Sequence, residues 1–224
     1  MKAFYIAVGV GLSVGTSVLA FNPVSVNPGQ AYEIIPIETA PVTTQEFLGT
    51  LEEYPEMFEF TTSEPMTLRA QLWQRASDEP FGFTLIAVRK DDRSSSVTEV
   101  SRVKQNPSEW TPDYDGVLGM RFLKSGVMER RIEPGTYRIE VSTPVNQGSY
   151  LLQLGTEPNA VNYFSMLGNI WATQRHFGHW PFRMLLSSYV YYPIGIGIII
   201  YGIYLTRQYR LGKETWVTRY LKRS

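Results

Sequence analysis

The chain has 224 residues, with 21 Lys and Arg against 21 Asp and Glu, and it contains no cysteine. Without cysteine it can form no disulfide and can use neither thiol catalysis nor a cysteine metal site. Residues 22–174 carry 20 Asp and Glu against 12 Lys and Arg. An acidic body of this kind, with no basic patch, excludes nucleic acid as an expected partner.

The first twenty residues read as an export signal. Lys2 is followed by an uncharged run, and Val18 and Ala20 place small residues at positions −3 and −1 of a cleavage after Ala20. Gly11 and Gly15 also have the spacing that packs membrane helices together. Residues 1–20 are therefore a cleaved signal peptide, which we favour, or an N-terminal membrane helix. In both cases the body that follows lies outside the cytoplasm.

Residues 22–157 are predicted to form one exported β-sandwich. Phe58 and Phe60 alternate with polar neighbours, and the same period of two recurs in 66–72, 81–87 and 137–141. Such alternation is typical of antiparallel strands with one face on a core. Turn residues separate the runs at intervals of roughly 8 to 12 residues, which favours a sandwich or barrel over βαβ units.

The clearest unit is the segment 134–155. Pro134-Gly135-Thr136-Tyr137 begins one predicted strand, and Asn146-Gln147-Gly148 leads into a second, so we expect a closing hairpin. Pro134 and Gly135 suit the centre of a type II turn, because glycine accepts a positive φ. The segment resembles the closing hairpin of the bacterial pre-peptidase C-terminal domain. That resemblance implies an antiparallel, jelly-roll-like β-sandwich with an accessory or binding role and no catalytic residues to carry over.

The whole layout is similar to uncharacterised bacterial membrane-anchored proteins that carry one exported sandwich. This similarity implies a membrane anchor and names no activity.

Residues 158–182 are predicted to be an amphipathic juxtamembrane linker. Pro158 suits the first turn of a helix. Apolar residues recur at steps of three and four, as expected for one helix face. The predicted apolar face consists of Ala160, Tyr163, Phe164, Leu167, Ile170 and Trp171, and the opposite face of Asn162, Ser165, Asn169 and Thr173. This face either packs on the sandwich, or lies at the membrane surface, or docks another membrane subunit.

Residues 184–205 are predicted to be a transmembrane helix. They contain no charged side chain, and a helix of that length covers roughly 33 Å against a hydrocarbon core of ~30 Å. The tail, residues 206–224, carries six cations and one anion. By the positive-inside bias the tail is cytoplasmic, which makes this a single-pass protein of the cell (inner) membrane with a periplasmic body. Trp216 and Tyr220 suggest a second, interfacial helix in the tail.

Two pairs of residues are candidate metal ligands. His176 and His179 would share a face of a helix, although Gly178 and Pro181 oppose that helix. Asp113 and Asp115 are spaced as in a calcium loop, but the third ligand and the distal Glu of an EF-hand are missing. We interpret the histidines as interface residues and the aspartates as part of a turn. No metal, cofactor or catalytic residue is therefore predicted.

The sequence therefore predicts a non-enzymatic accessory or interaction protein. Its expected partners are the lipid bilayer and another membrane or exported protein. The alternative is a ligand-sensing module on a membrane anchor, recognising a glycan, a peptide or calcium. Trp73, Trp110 and Tyr114 are the aromatic residues that could stack on a sugar.

Overall fold

The computed structural model describes residues 19–91 and 96–211. Within them the chain forms fourteen strands, two α-helices and two 3₁₀ helices. The strands are β1 (Leu19–Ala20), β2 (Pro23–Ser25), β3 (Ile34–Pro36), β4 (Gln45–Glu52), β5 (Glu56–Thr62), β6 (Met66–Arg75), β7 (Thr84–Lys90), β8 (Val97–Lys104), β9 (Thr111–Asp115), β10 (Met120–Lys124), β11 (Met128–Ile132), β12 (Gly135–Ser142), β13 (Gln147–Leu154) and β14 (Asn159–Ala160). The helices are α1 (Tyr163–His176) and α2 (Ser188–Arg210), and the 3₁₀ helices are Pro107–Glu109 and Pro181–Leu186.

Two predictions lie largely outside the described residues. They are the signal peptide or membrane helix of residues 1–20, of which residues 1–18 are not described, and the interfacial helix around Trp216. Leu19 and Ala20, at the end of the predicted signal, form the short strand β1, which pairs with β14.

Two packed sheets form a sandwich. One has the strand order β2-β4-β13-β6-β10-β9, with β11 also paired to β6, and the other has the order β3-β5-β12-β7-β8. Most pairs are antiparallel, but β2 runs parallel to β4 and β3 runs parallel to β5. The predicted mainly β sandwich is confirmed, with mixed sheets in place of purely antiparallel ones.

The core between the sheets follows the alternation of the sequence. Phe58 and Phe60 of β5 are buried, as are Tyr137, Ile139 and Val141 of β12, the strand that pairs with β5. They belong to one apolar cluster to which β4, β6 and β13 contribute from the facing sheet. Burial of this apolar area, at ~25 cal/mol per Å², is the main stabilising contribution of the fold.

The predicted closing hairpin is wrong. Strand β12 pairs with β5 and β7, whereas β13 pairs with β4 and β6 of the other sheet. The chain crosses the sandwich between them, and Tyr137 and Tyr150 point into the same core from opposite sheets. Gly135 begins β12 with a φ of 152°, which is far from the value of about +80° in a type II turn.

Helix α1 packs on the outer face of the seven-stranded sheet and adds a third layer. Its buried side chains are Met166, Ile170, Thr173 and Gln174, and the apolar ones join a second cluster with residues of the sheet. The amphipathic helix exists, but its predicted face is only partly right, since Ile170 is buried as expected. The sequence places Phe164 on the packed face, yet it is 76% exposed, and it places Thr173 on the outside, yet that residue is buried.

Helix α1 also begins later than Pro158 suggests. Asn162 is its N-cap, and the Asn162 Oδ1 atom accepts the N–H of Ser165 at 2.9 Å. Pro158 instead precedes strand β14, so the residues before Asn162 are extended.

The apolar helix α2 begins and ends later than the predicted span 184–205. Pro181–Leu186 forms a 3₁₀ helix, and Ser187 is the N-cap of α2. Among the described residues α2 is the one helix long and apolar enough to cross a membrane, and none of its apolar window is buried. Its uncharged part, residues 188–206, is roughly 28 Å long at 1.5 Å per residue.

Candidate functional site

The chain enters α2 through a tight contact with the turn between β9 and β10. Ser187 is buried and its Oγ donates to the carbonyl of Val117 at 2.5 Å, while the N–H of Ser188 donates to the carbonyl of Gly116 at 2.9 Å. We call residues 116–119 together with residues 186–189 the anchor junction. Both segments contribute backbone groups, so the junction does not depend on long flexible side chains.

Two residues shape the turn for this contact. The Asp115 carboxylate accepts the N–H groups of Val117 and Leu118, both at 2.9 Å, which closes the turn. Gly119 has a φ of +64°, and a Cβ there would lie 2.8 Å from the carbonyl carbon of Leu186. Only glycine fits both this conformation and this approach.

Helix α1 holds the junction from its other side. Pro193 has no N–H, so it leaves the carbonyl of Tyr189, four residues earlier, without its helical donor. The Tyr163 hydroxyl donates to that carbonyl at 2.7 Å. Near the other end of α1, Gln174 Nε2 donates to the carbonyl of Leu118 at 2.7 Å. The sandwich, α1 and α2 are therefore joined by fixed hydrogen bonds without a free linker.

The two histidines do not form a pair. His176 is the last residue of α1, and Gly178, with a φ of +69°, turns the chain before His179. His176 lies against the backbone of Gly49 and Tyr150 on the outer face of the seven-stranded sheet. Among the described residues no group of three or more His, Asp or Glu could hold a metal ion.

The pKa of each histidine is lowered, which favours the neutral form. Burial lowers the pKa of His176 below 6.5. Burial and the charges of Arg183 and Arg75 lower the pKa of His179. Each environment disfavours the added proton.

The two aspartates have separate structural partners. Asp113 forms an ion pair with Lys124 at 2.6 Å, and this contact lowers the pKa of the Asp113 carboxyl. Asp115 closes the turn of the anchor junction. The spacing that suggested a calcium loop is thus that of a strand end and its turn.

The three candidate sugar-stacking residues lie in different places. Trp73 belongs to the cluster under α1, with Lys124 Nζ 3.8 Å from its ring centroid. Trp110 belongs to the core between the sheets. Tyr114 is half exposed, and its hydroxyl donates to the carbonyl of Leu186 at the anchor junction. They form no common platform.

Two carboxylates are buried, Glu46 in strand β4 and Glu56 at the start of strand β5. Glu46 is 2% exposed and Glu56 is 3% exposed. Burial raises the pKa of each from 4.5 to about 7. Glu46 accepts the N–H of Asn22 at 3.1 Å, and Glu56 Oε2 accepts the hydroxyl of Tyr150 at 2.5 Å. Neither residue is among the candidates predicted from the sequence.

Glu56 lies beside a cavity of about 210 Å³ between the β2–β3 loop and the β4–β5 turn. We call it the acidic cavity, because its described lining includes Tyr32, Glu33, Glu52, Tyr54 and Glu56 and no Lys, Arg or His. The sequence contains a signal for the buried Glu56. Glu56 has the same strand phase as the buried Phe58, and a charged residue in an apolar phase is an exception to the alternation.

The chain has remote matches among solved structures. No family model and no curated protein matches the chain. The pre-peptidase C-terminal domain of a collagenase from Bacillus anthracis is similar with a TM-score of 0.36 and 12% identity, over 58% of this chain and 98% of that chain. The Yersinia pseudotuberculosis-derived mitogen is similar with a TM-score of 0.37 and 11% identity, over 55% of this chain and 92% of that one. The domain suggested by segment 134–155 is thus among the similar structures, but these scores support no argument about function.

Proposed function

We propose that the chain is a single-pass membrane protein that holds its sandwich at the outer surface of the cell membrane. There it serves another membrane or exported protein as a non-catalytic accessory module. The observation that supports the anchor is helix α2 (Ser188–Arg210), which is long and apolar enough to cross a bilayer and has none of its apolar window buried. A soluble protein rarely leaves so large an apolar surface uncovered.

The residues on either side of α2 support its orientation. Arg207 and Arg210 lie in its last turn, and further cations follow in the sequence. Trp180 and Phe182, which precede α2, are 78% and 76% exposed. Exposed aromatic residues of this kind are enriched at the membrane–water interface. We place the tail in the cytoplasm and the sandwich outside.

The anchor junction supports an accessory role. A sandwich on a flexible tether would sample many orientations, whereas this one is fixed to its helix by backbone hydrogen bonds. A fixed orientation suits a module that presents one surface to a neighbour in the same membrane. It also gives the helix a means of sensing changes in the sandwich.

The anchor is tested by alkaline extraction of membranes that contain the full chain. We expect the chain to remain in the membrane pellet. Replacing Ile198 and Ile199 with Asp should release it, because each charge near the bilayer centre costs roughly 3 kcal/mol. The matched control replaces both with Leu and should stay in the pellet. Release of the unaltered chain would contradict the anchor.

The accessory role is tested separately, by extraction in several mild detergents followed by affinity isolation. The proposal expects one partner at a fixed stoichiometry, and the double variant Ile198→Asp with Ile199→Asp measures background. Recovery of the chain as a lone monomer in every detergent would contradict the accessory role and leave the anchor standing.

A second candidate function is ligand sensing on the same anchor. The acidic cavity favours it, since its described lining gathers carboxylates and aromatic rings with no cation to neutralise them. The same full-length chain would then respond to a small ligand without any partner protein.

A further inference from the structure

The layer formed by α1 and the 3₁₀ helix Pro181–Leu186 differs in charge from the sandwich that it covers. Of the 21 Asp and Glu of the chain, 20 lie in residues 22–157 and none lies in residues 158–211. The layer itself carries Arg175 and Arg183. Anionic phospholipid headgroups attract arginine and repel carboxylates. This layer is therefore the part of the exported body whose charge suits a membrane surface.

The same layer exposes large apolar side chains. Five of them are half exposed or more: Phe164 of α1, Trp180, and Phe182, Leu185 and Leu186 of the 3₁₀ helix. We call these five residues the apolar collar. The 3₁₀ helix packs against both α1 and α2, so the collar is a neighbourhood of the fold and not only of the sequence. Apolar side chains gathered at a surface in this way mark an interaction site.

Helix α1 contacts the anchor junction from both of its ends. The Tyr163 hydroxyl donates to the carbonyl of Tyr189, and Gln174 Nε2 donates to the carbonyl of Leu118, each at 2.7 Å. These two residues of α1 lie roughly 16 Å apart along the helix axis. Helix α1 therefore lies alongside the start of α2. The apolar collar is continuous with the surface from which α2 would enter the bilayer.

We propose that the apolar collar lies in the outer leaflet at the level of the headgroups, so that α1 is held between the sheet and the lipid. The exposed Arg175 then contacts anionic phospholipid. The inference rests on the proposed membrane anchor, since α2 brings the collar to the bilayer. Aromatic rings are enriched at this depth, and a helix with an apolar face and basic residues binds there. The body would thus have a second contact with the membrane besides α2.

The depth of the collar is tested with single spin labels on the full chain, which has no cysteine of its own. The labels are attached at Phe164→Cys and Trp180→Cys in nanodiscs of phosphatidylcholine and phosphatidylglycerol. Collisions with oxygen, which concentrates in lipid, are compared with collisions with a water-soluble nickel chelate. We expect both labels to favour oxygen. The controls are Ile198→Cys in α2, which should also favour oxygen, and Val145→Cys in the sandwich, which should favour nickel; both residues are exposed.

The controls separate this inference from the proposed function. A label in water at Phe164 or Trp180, with the Ile198 label in lipid, would overturn the collar and leave the anchor standing. A label in water at Ile198 would overturn the anchor and the collar with it. Spectral broadening at Phe164 that disappears on dilution with unlabelled chain would show that a second copy covers the collar, which also overturns the proposal.

The role of the headgroup charge is tested at Arg175. Adding phosphatidylglycerol to phosphatidylcholine nanodiscs should raise the ratio of lipid-contacting to water-contacting label at Phe164→Cys. Arg175→Gln should remove about fivefold of that increase, as expected for one arginine at an anionic surface. Arg102→Gln is the matched control, because Arg102 is exposed on β8 of the five-stranded sheet, and it should leave the ratio unchanged. Equal effects of the two variants would overturn the contact of Arg175 with lipid.

Discussion

The two faces of the seven-stranded sheet are built by different means. The inner face packs on the second sheet with one large apolar cluster, in the period of two that the sequence displays. The outer face packs on α1, and its contact includes the buried polar side chains Thr173 and Gln174. Gln174 donates to a carbonyl of the anchor junction. The inner face therefore stabilises the fold, and the outer face also connects it to α2.

The difference shows why the outer layer supports the proposed function. Apolar packing is nondirectional and tolerates sliding, whereas hydrogen bonds to single carbonyls fix one arrangement. The hydrogen bond from Gln174 to the carbonyl of Leu118 thus fixes the position of α1 on the sheet. Each face also holds one buried carboxylate, Glu56 inside and Glu46 outside, which allows matched experiments.

The largest loss of stability should come from adding a side chain at Gly49, on the inner face of the seven-stranded sheet. An added Cβ would lie 2.5 Å from Tyr150 Cζ and 2.6 Å from Glu56 Oε2. Gly49→Ala should therefore lower the free energy of unfolding by roughly 3 kcal/mol, from overpacking and loss of the Tyr150–Glu56 hydrogen bond. Urea unfolding in detergent measures it. Gly168→Ala on α1, where no atom lies within 4 Å, is the control, and equal stability of the two variants would contradict the packing described.

The buried carboxylates should make the chain less stable in alkali. Their pKa is about 7 when folded and near 4.5 when unfolded, so the folded chain holds extra protons. This stabilisation is complete below about pH 4.5 and is lost as pH rises through about 7. We expect a loss on the order of 2 kcal/mol for each residue between pH 5 and pH 9.

Substitution of the two carboxylates tests this pH dependence further, and the two histidines also contribute to it. Glu46→Gln and Glu56→Gln should each flatten the dependence of the unfolding free energy on pH, and both together should abolish most of it. His176 and His179 act in the opposite sense, since their lowered pKa values remove stability as pH falls below 6.5. A stability that rises from pH 7 to pH 9 would contradict the burial of the carboxylates.

The smallest effect concerns the hydrogen bond between α1 and α2. Tyr163→Phe removes the donor to the Tyr189 carbonyl and should cost about 1 kcal/mol. In a Pro193→Ala background the new N–H bonds that carbonyl within the helix, so the same change should cost less. Tyr209→Phe, at an exposed ring, is the control. A double-mutant cycle without coupling would show that Tyr163 does not replace the helical donor.

The structural features that follow from the periodicity of the sequence were predicted correctly. The alternation of Phe58 and Phe60, the turn residues and the uncharged run of α2 correctly indicated strands, a sandwich and one apolar helix. Pairing was not predictable, because β12 and β13 satisfy the same pattern in one sheet or in two. The face of α1 was missed because the buried Gln174 donates to Leu118, far away in sequence, and the buried Thr173 donates within the helix to the carbonyl of Asn169.

The candidate site was less predictable still. His176, His179, Asp113 and Asp115 drew attention by residue type and spacing, yet each has its own local surroundings. Glu56 carried a signal as a charge in an apolar strand phase. The cavity beside it depends on the conformation of the β2–β3 loop, which no local pattern displays.

The most direct test of the central claim, a sandwich fixed to its anchor by the junction, is a distance distribution between two spin labels. The chain has no cysteine, so labels can be attached at Val145→Cys in the sandwich and Ile203→Cys in α2, both exposed. Pulsed electron paramagnetic resonance in lipid nanodiscs should give one narrow distribution. Gly119→Ala should broaden it, because a Cβ there meets Leu186, and Gly116→Ala, with no atom within 4 Å, should not. A broad distribution in the protein with an unaltered junction would contradict the account.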